Sequence, residues 1–426
     1  MSGKVRFKVL MDKEYRPLSG DFIVRLALRM EVSERAETLP LNLCLLIDRS
    51  TSMDGEKMEK AKESAHELIH SLRDGDYFCL IGFSTEAEIL LPRTKMNDSV
   101  RAEAKAVVDK IEAAGLTRMD LALEQAYAVL AEGGDQFMNL LLFLSDGAPT
   151  DDDGYLLADE DLEKLTHTIE TSQREQGLTT SAIGLGEASE CLADFLEICG
   201  EKGGGLFYHA DDPSQLADRF KEEFNRVATT AITGLSFQIK DVHGSVRKSA
   251  AIFPDVRDLG KPDLSDNTFK LSGGTLQKGE EHAFLVEIVT PASDTAQRQK
   301  LCDVEVLYEM EGETHHITAP APLIEYTDDE MLLSKPGHPE VEKFKGMYNT
   351  FIQTQKAVAN IREGGDLKKT RVLLASAAKT TRRLGLTKQT KLLQDMADKV
   401  ETGAEVSEND ITKVAVASRK TKVLDR

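Results

Sequence analysis

Two kinds of apolar run mark this chain. Residues 41–48, 77–83 and 138–145 are apolar at nearly every position, as expected for strands covered on both faces. Residues 21–31 instead alternate. Phe22, Val24, Leu26, Leu28 and Met30 point one way and Arg25, Arg29 and Glu31 the other, which predicts a half-buried strand. Helical spacing follows the first doubly buried run: Met58, Ala61, Ala65, Leu68, Ile69 and Leu72 recur every three or four residues. Further helices are predicted over 100–113, 119–131, 162–171, 189–199 and 213–227, interleaved with strands at 89–91, 180–185 and 206–209. Strands alternating with helices predict a Rossmann-like, doubly wound, mostly parallel sheet over residues 38–230.

The pattern changes on either side of that segment. Strands are predicted at 5–10, 235–241, 282–289, 302–310 and 315–319, with Gly and Asp clusters at 258–266 and 272–280 read as turns. Neither residues 1–37 nor 231–326 holds enough apolar surface for a core alone. Together they predict one β-sandwich into which the α/β segment is inserted. From 327 to 426 the spacing is helical. A stripe of Val341, Phe344, Tyr348, Phe351, Ile352 and Ile361 leads to helices near 366–383 and 388–400, and Ser407 with Asp410 resembles a capping box opening a last one.

The candidate chemistry lies where apolar runs end. LCLLIDRSTS closes on Asp48, Ser50 and Ser52, AAGLTRMD contains Thr117, and LLLFLSDG ends on Asp146. Two carboxylates and three hydroxyls are the hard oxygen donors Mg²⁺ prefers, and so few charges leave the ion electrophilic. In parallel α/β sheets ligands sit beyond the carboxyl ends of the strands, where Asp48 and Asp146 fall. Asp-x-Ser-x-Ser alone is also a common turn. These five residues, in this order and strand context, resemble the von Willebrand factor type A domain with its metal-ion-dependent adhesion site. The resemblance covers roughly residues 38–230. It implies a Mg²⁺ site (Mn²⁺ or Ca²⁺ being the alternatives) in which Ser50, Ser52 and Thr117 touch the metal and the aspartates act through water. It further implies a protein partner that supplies an Asp or Glu carboxylate, with a MoxR-type AAA+ ATPase as one such partner, and an adaptor or assembly role without catalysis. Self-association through an acidic residue such as Asp425 is a variant of the same idea. Arg49, Arg118 and Met119 are expected to rim the site.

Composition narrows the alternatives. The net charge is −20, which disfavours nucleic acid and anionic membranes as general partners. Residues 364–426 nevertheless hold 14 Lys and Arg against 8 Asp and Glu, a local +6 that leaves −26 for the remainder. No apolar run reaches the ~20 residues of a bilayer span, and the N-terminal residues lack a signal-peptide core, so a cytoplasmic location is expected. Five scattered cysteines (Cys44, Cys79, Cys191, Cys199 and Cys302) predict buried thiols rather than a disulfide framework. A competing motif, His66-Glu67-Leu68-Ile69-His70, matches the H-E-x-x-H zinc-peptidase pattern. It lacks an evident third ligand and lies on the helix after Ser52. A metal-dependent hydrolase built on it, and a scaffold with a vestigial metal site, are the two rival readings.

Overall fold

A computed structural model describes residues 4–186, 193–210, 212–265, 267–404, 406–419 and 421. Three strands come first: β1 (Val5–Met11), β2 (Tyr15–Arg16) and β3 (Phe22–Val32). Residues 38–230 then form one compact unit. It runs β4 (Leu41–Asp48), α1 (Glu56–Ser71), β5 (Tyr77–Phe83), β6 (Ala87–Lys95), α2 (Asp98–Val108), α3 (Met119–Ala131) and β7 (Met138–Ser145). It continues through α4 (Asp159–Gln176), β8 (Thr179–Leu185), α5 (Ala193–Lys202), β9 (Gly204–Ala210) and α6 (Leu216–Ala228). Strand order is β6-β5-β4-β7-β8-β9, parallel except for the antiparallel edge strand β6.

The continuous apolar runs have the expected cause. Leu41, Leu43, Leu45 and Ile47 of β4 enter one core with α1, α2 and α6. Cys44 and Leu46 enter a second core with α3, α4 and α5 on the opposite face. A period of two therefore feeds two helical layers at once. β4 is central, and the chain leaves it toward β5 on one side and reaches β7 on the other. Loops at the carboxyl ends of β4 and β7 diverge there and leave a crevice.

The other unit comprises residues 1–37 and 231–426. Its strands after β3 are β10 (Thr230–Lys240), β11 (Ser245–Phe253), β12 (Arg257–Gly260), β13 (Asp263–Ser265), β14 (Thr268–Gln277) and β15 (Glu281–Thr290). β16 (Arg298–Lys300), β17 (Asp303–Met310), β18 (Glu313–Thr318) and β19 (Leu323–Tyr326) complete them. Two five-stranded sheets, β1-β3-β15-β11-β12 and β13-β14-β10-β17-β18, share one core in which the Phe237 and Phe284 rings lie 4.9 Å apart. The chain ends in the helices α7 (Glu330–Leu333), α8 (Pro339–Arg362), α9 (Leu367–Leu384), α10 (Thr387–Thr402) and α11 (Glu408–Arg419). The mixed architecture, with a parallel sheet, antiparallel sheets and a C-terminal helical region, is the one the spacing predicts.

Three local expectations fail for physical reasons. β3 is covered on both faces, because Val341, Phe344 and Phe351 of α8 pack over the small Ala27 and Ala250. Arg29 reaches Glu340 of α8 at 2.7 Å, which keeps its charge paired under that cover. β11 has no counterpart in the predicted strands, and 258–265 and 272–280 are largely strand rather than turn. In β14, Gly273 is small because a β-carbon there would overlap Leu235 and approach Phe237 Cε2 to 3.2 Å. Gly273→Ala is accordingly expected to overpack the sandwich and to lower stability by about 1–3 kcal/mol in urea unfolding. The predicted helix 189–199 lies partly outside the described residues, with α5 beginning at Ala193. Cys44, Cys79, Cys199 and Cys302 are free and buried, and Cys191 lies outside the described residues. Among the described residues no helix is long and apolar enough to cross a membrane.

Candidate metal centre

Asp48 ends β4 and Asp146 directly follows β7, on adjacent parallel strands paired through Ile47 and Leu144. Both carboxylates are therefore delivered to one crevice by sheet register alone. Past Asp48 the chain turns through a short 3₁₀ segment, Thr51–Met53, before α1 begins. That turn carries Ser50 and Ser52 on the same side, with their hydroxyls 3.0 Å apart. Ser52 Oγ donates to Asp146 Oδ1 at 2.8 Å.

Backbone hydrogen bonds knit the Thr117 loop to both neighbours. Ala114 N donates to Arg49 O at 2.7 Å, and Thr51 N to Gly115 O at 3.1 Å. Gly115 has φ +91°, a conformation an L side chain rarely adopts. Thr117 N donates to Thr150 Oγ1 at 3.0 Å, and Thr150 N returns to Thr117 O at 2.9 Å. A β-carbon on Gly147 would lie 3.4 Å from Thr117 Oγ1 and 3.5 Å from Ser52 Oγ, so these two hydroxyls converge over the Asp146 loop. Asp48, Ser50, Ser52, Thr117 and Asp146 are thus gathered at one corner of the sheet.

Burial orders this group. Asp48, Ser50, Thr117 and Asp146 are buried and Ser52 is exposed, so the cluster opens outward through its serine. Asp48 accepts from Ser50 N at 2.8 Å and from Ser145 Oγ at 2.5 Å. Burial pushes its carboxyl up to about 6 from an ordinary 3.8; hydrogen bonds from Ser145 and Ser50 hold it back, and nearby Asp146 adds to the rise. Asp146 Oδ2 accepts an ammonium hydrogen bond from Lys57 at 2.5 Å. A buried carboxylate beside a short run of hydroxyls offers the oxygen donors that suit a small, hard cation.

Three contributors escaped the reading of the sequence. Ser145 orients Asp48, Lys57 neutralises part of Asp146, and Thr150 fixes Thr117. Only Ser145 carried a signal, as the one hydroxyl closing an apolar run just before Asp146. The rim differs too. Met119 is fully buried and cannot meet a partner, because it opens α3 on the face packed against the sheet. Arg49 pairs with Glu88 at 2.9 Å, and Arg118 is clamped by Asp120 at 2.7 Å and by Asp152. His66, Glu67 and His70 lie elsewhere on α1, along an open groove with Phe220 and Lys221. His66 Nε2 is 3.0 Å from Asp109 Oδ1. Among the described residues no three His, Cys, Asp or Glu side chains are grouped to hold a metal.

Residues 43–148 match the family model described as the von Willebrand factor type A domain. That segment of the chain is similar to a von Willebrand factor type A domain. Most of β4, all of β5, β6 and β7, the helices α1, α2 and α3 and all five clustered residues fall within the matched span, and residues 38–230 enclose it. Over 404 residues the chain is 25% identical to the uncharacterized protein sll0103 of Synechocystis, covering 93% of this chain and 92% of that one. It resembles a solved von Willebrand factor type A structure from Catenulispora acidiphila with a TM-score of 0.82 at 20% identity, over 99% of both chains. The ArnB paralog VWA2 of Sulfolobus acidocaldarius matches with a TM-score of 0.63 at 20% identity, over 98% of both. Both likenesses extend beyond residues 43–148 to the flanking strands and helices.

Proposed function

We propose that this protein is a metal-dependent, non-enzymatic protein-interaction module. Ser50, Ser52 and Thr117, backed by Asp48 and Asp146, hold one Mg²⁺. The bound ion supplies a Lewis-acidic position for an Asp or Glu carboxylate of a protein partner. The observation that carries this reading is the convergence of the Ser50 and Ser52 hydroxyls and the Asp146 carboxylate, at 3.0 and 2.8 Å, beside the buried Asp48. Binding a cation there relieves Asp48 of its unfavourable buried charge and leaves the outer side of the ion facing solvent. Titration of Mg²⁺ into the protein by calorimetry tests it: a single saturable site is expected, and a flat titration contradicts the reading.

Lys57 tunes this site. Its ammonium already lies on Asp146 and repels a second cation at close range. Lys57→Met is expected to tighten Mg²⁺ about tenfold, a change of about 1.4 kcal/mol. It is also expected to lower the melting temperature in EDTA, because Asp146 is then buried without its counter-charge. Calorimetry and thermal melts of the two proteins check both effects.

A further inference from the structure

We propose that the partner segment captured at this site presents one carboxylate beside a large apolar side chain, and that Tyr155 and Leu156 receive that apolar side chain. The inference rests on the carboxylate-capturing reading above. Tyr155 and Leu156 are 72% and 71% exposed and are neighbours in sequence. Two adjacent large apolar side chains held in water mark a contact surface when the backbone beneath them is fixed.

That backbone is fixed to the metal centre. Residues 149–157 form a tight hydrogen-bonded turn. Asp151 N donates to Tyr155 O at 2.8 Å, Leu157 N to Pro149 O at 3.0 Å, and Thr150 pairs with Leu156 as an antiparallel bridge. Asp151 Oδ1 accepts from the amides of Asp153 at 3.0 Å and Tyr155 at 2.9 Å, which braces the turn from inside. Its base, Thr150, makes the two hydrogen bonds to Thr117 described above. The apolar pair and a metal-holding hydroxyl thus share one rigid segment.

Charge selects the occupant further. Asp151, Asp152 and Asp153 lie on this turn, and Arg118 is already paired with Asp120 and Asp152. A run of acidic residues in the partner meets this field unfavourably, whereas a single carboxylate set among apolar residues does not. The specificity-determining contact is therefore apolar, and the carboxylate is the shared anchor.

A random-peptide phage library selected on the Mg²⁺-loaded protein and released with EDTA tests this. Alongside it, the double variant Tyr155→Ser, Leu156→Ser is titrated with Mg²⁺ and compared for binding of the enriched peptides. Both side chains are exposed, so the variant keeps its fold. The enriched peptides are expected to carry one Asp or Glu next to Leu, Ile, Phe, Tyr or Trp. The variant is expected to bind Mg²⁺ as wild type does and the peptides at least about tenfold more weakly, the scale of a lost apolar anchor. Enrichment of acidic runs without apolar neighbours overturns the inference, as does equal peptide binding by the variant. So does a loss of self-association in the variant measured by sedimentation, which makes a second copy the occupant. Absence of Mg²⁺ binding, or of any EDTA-released peptide, counts instead against carboxylate capture itself.

Discussion

Asp48→Ala is expected to lower Mg²⁺ affinity by about 100-fold or more while leaving the protein folded. A carboxylate that positions metal ligands typically contributes a factor of 10–100, and Asp48 in addition supplies one of only two negative charges. It accepts from Ser50 N and from Ser145, so its loss frees the turn that aims Ser50 and Ser52 as well as the end of β7. The effect on the fold is smaller, because the hydrogen bonds lost are offset by removal of a fully buried carboxyl. The difference appears as ligand-linked stability. At 100 times its dissociation constant Mg²⁺ stabilises wild type by about 2.7 kcal/mol, and the variant gains close to nothing at the same concentration. Urea unfolding in Mg²⁺ and in EDTA measures both terms. Equal Mg²⁺-induced shifts in the two proteins contradict the assignment of Asp48.

The same carboxyl imposes a pH dependence. Its folded value of about 6 lies above the ordinary 3.8 that applies to the unfolded chain. Between these values the folded protein binds the extra proton, so stability in EDTA falls as pH rises from about 4 to about 6 and levels off above that. The contribution amounts to about 3 kcal/mol, from about two units at 1.36 kcal/mol each. Asp48→Asn mimics the protonated carboxyl and is expected to remove this part of the slope. Subtracting the variant's urea-derived profile from that of wild type isolates it from the other acids. Mg²⁺ selects the ionised form, so its affinity runs the opposite way: it rises with pH to about 6 and falls roughly tenfold per unit below that. A wild-type profile parallel to that of Asp48→Asn would show that Asp48 is not the titrating group.

Much of this architecture was legible along the chain because burial on two faces leaves an unbroken apolar run. LNLCLLID and MNLLLFLS are such runs, and each ends at a carboxylate of the cluster. The five oxygen-bearing residues could be picked out because each sits where an apolar run stops or a helix begins. What stayed hidden depends on partners distant in sequence. Gly273 lies in a strand whose neighbours, Leu235 and Phe237, are nearly forty residues away, and local propensity reads a Gly pair as a turn. Arg25 and Arg29 look like a solvated face until α8 arrives over Ala27 from more than three hundred residues on. Lys57 reads as one of several lysines on an amphipathic helix, and only the fold brings it to Asp146. Met119 opens the predicted helix right after Thr117 and Arg118, which places it on the expected rim, yet α3 turns its side chain into the core.

The proposed site draws five side chains from three loops around one divalent cation. The most direct measurement is the anomalous difference map of a crystal soaked in Mn²⁺. A single strong peak is expected, bonded to Ser50 Oγ and Ser52 Oγ and within reach of Thr117 and the two aspartates, with no such peak in Asp48→Ala. A crevice without a peak, or one in which manganese binds only at His66 and His70, would contradict it.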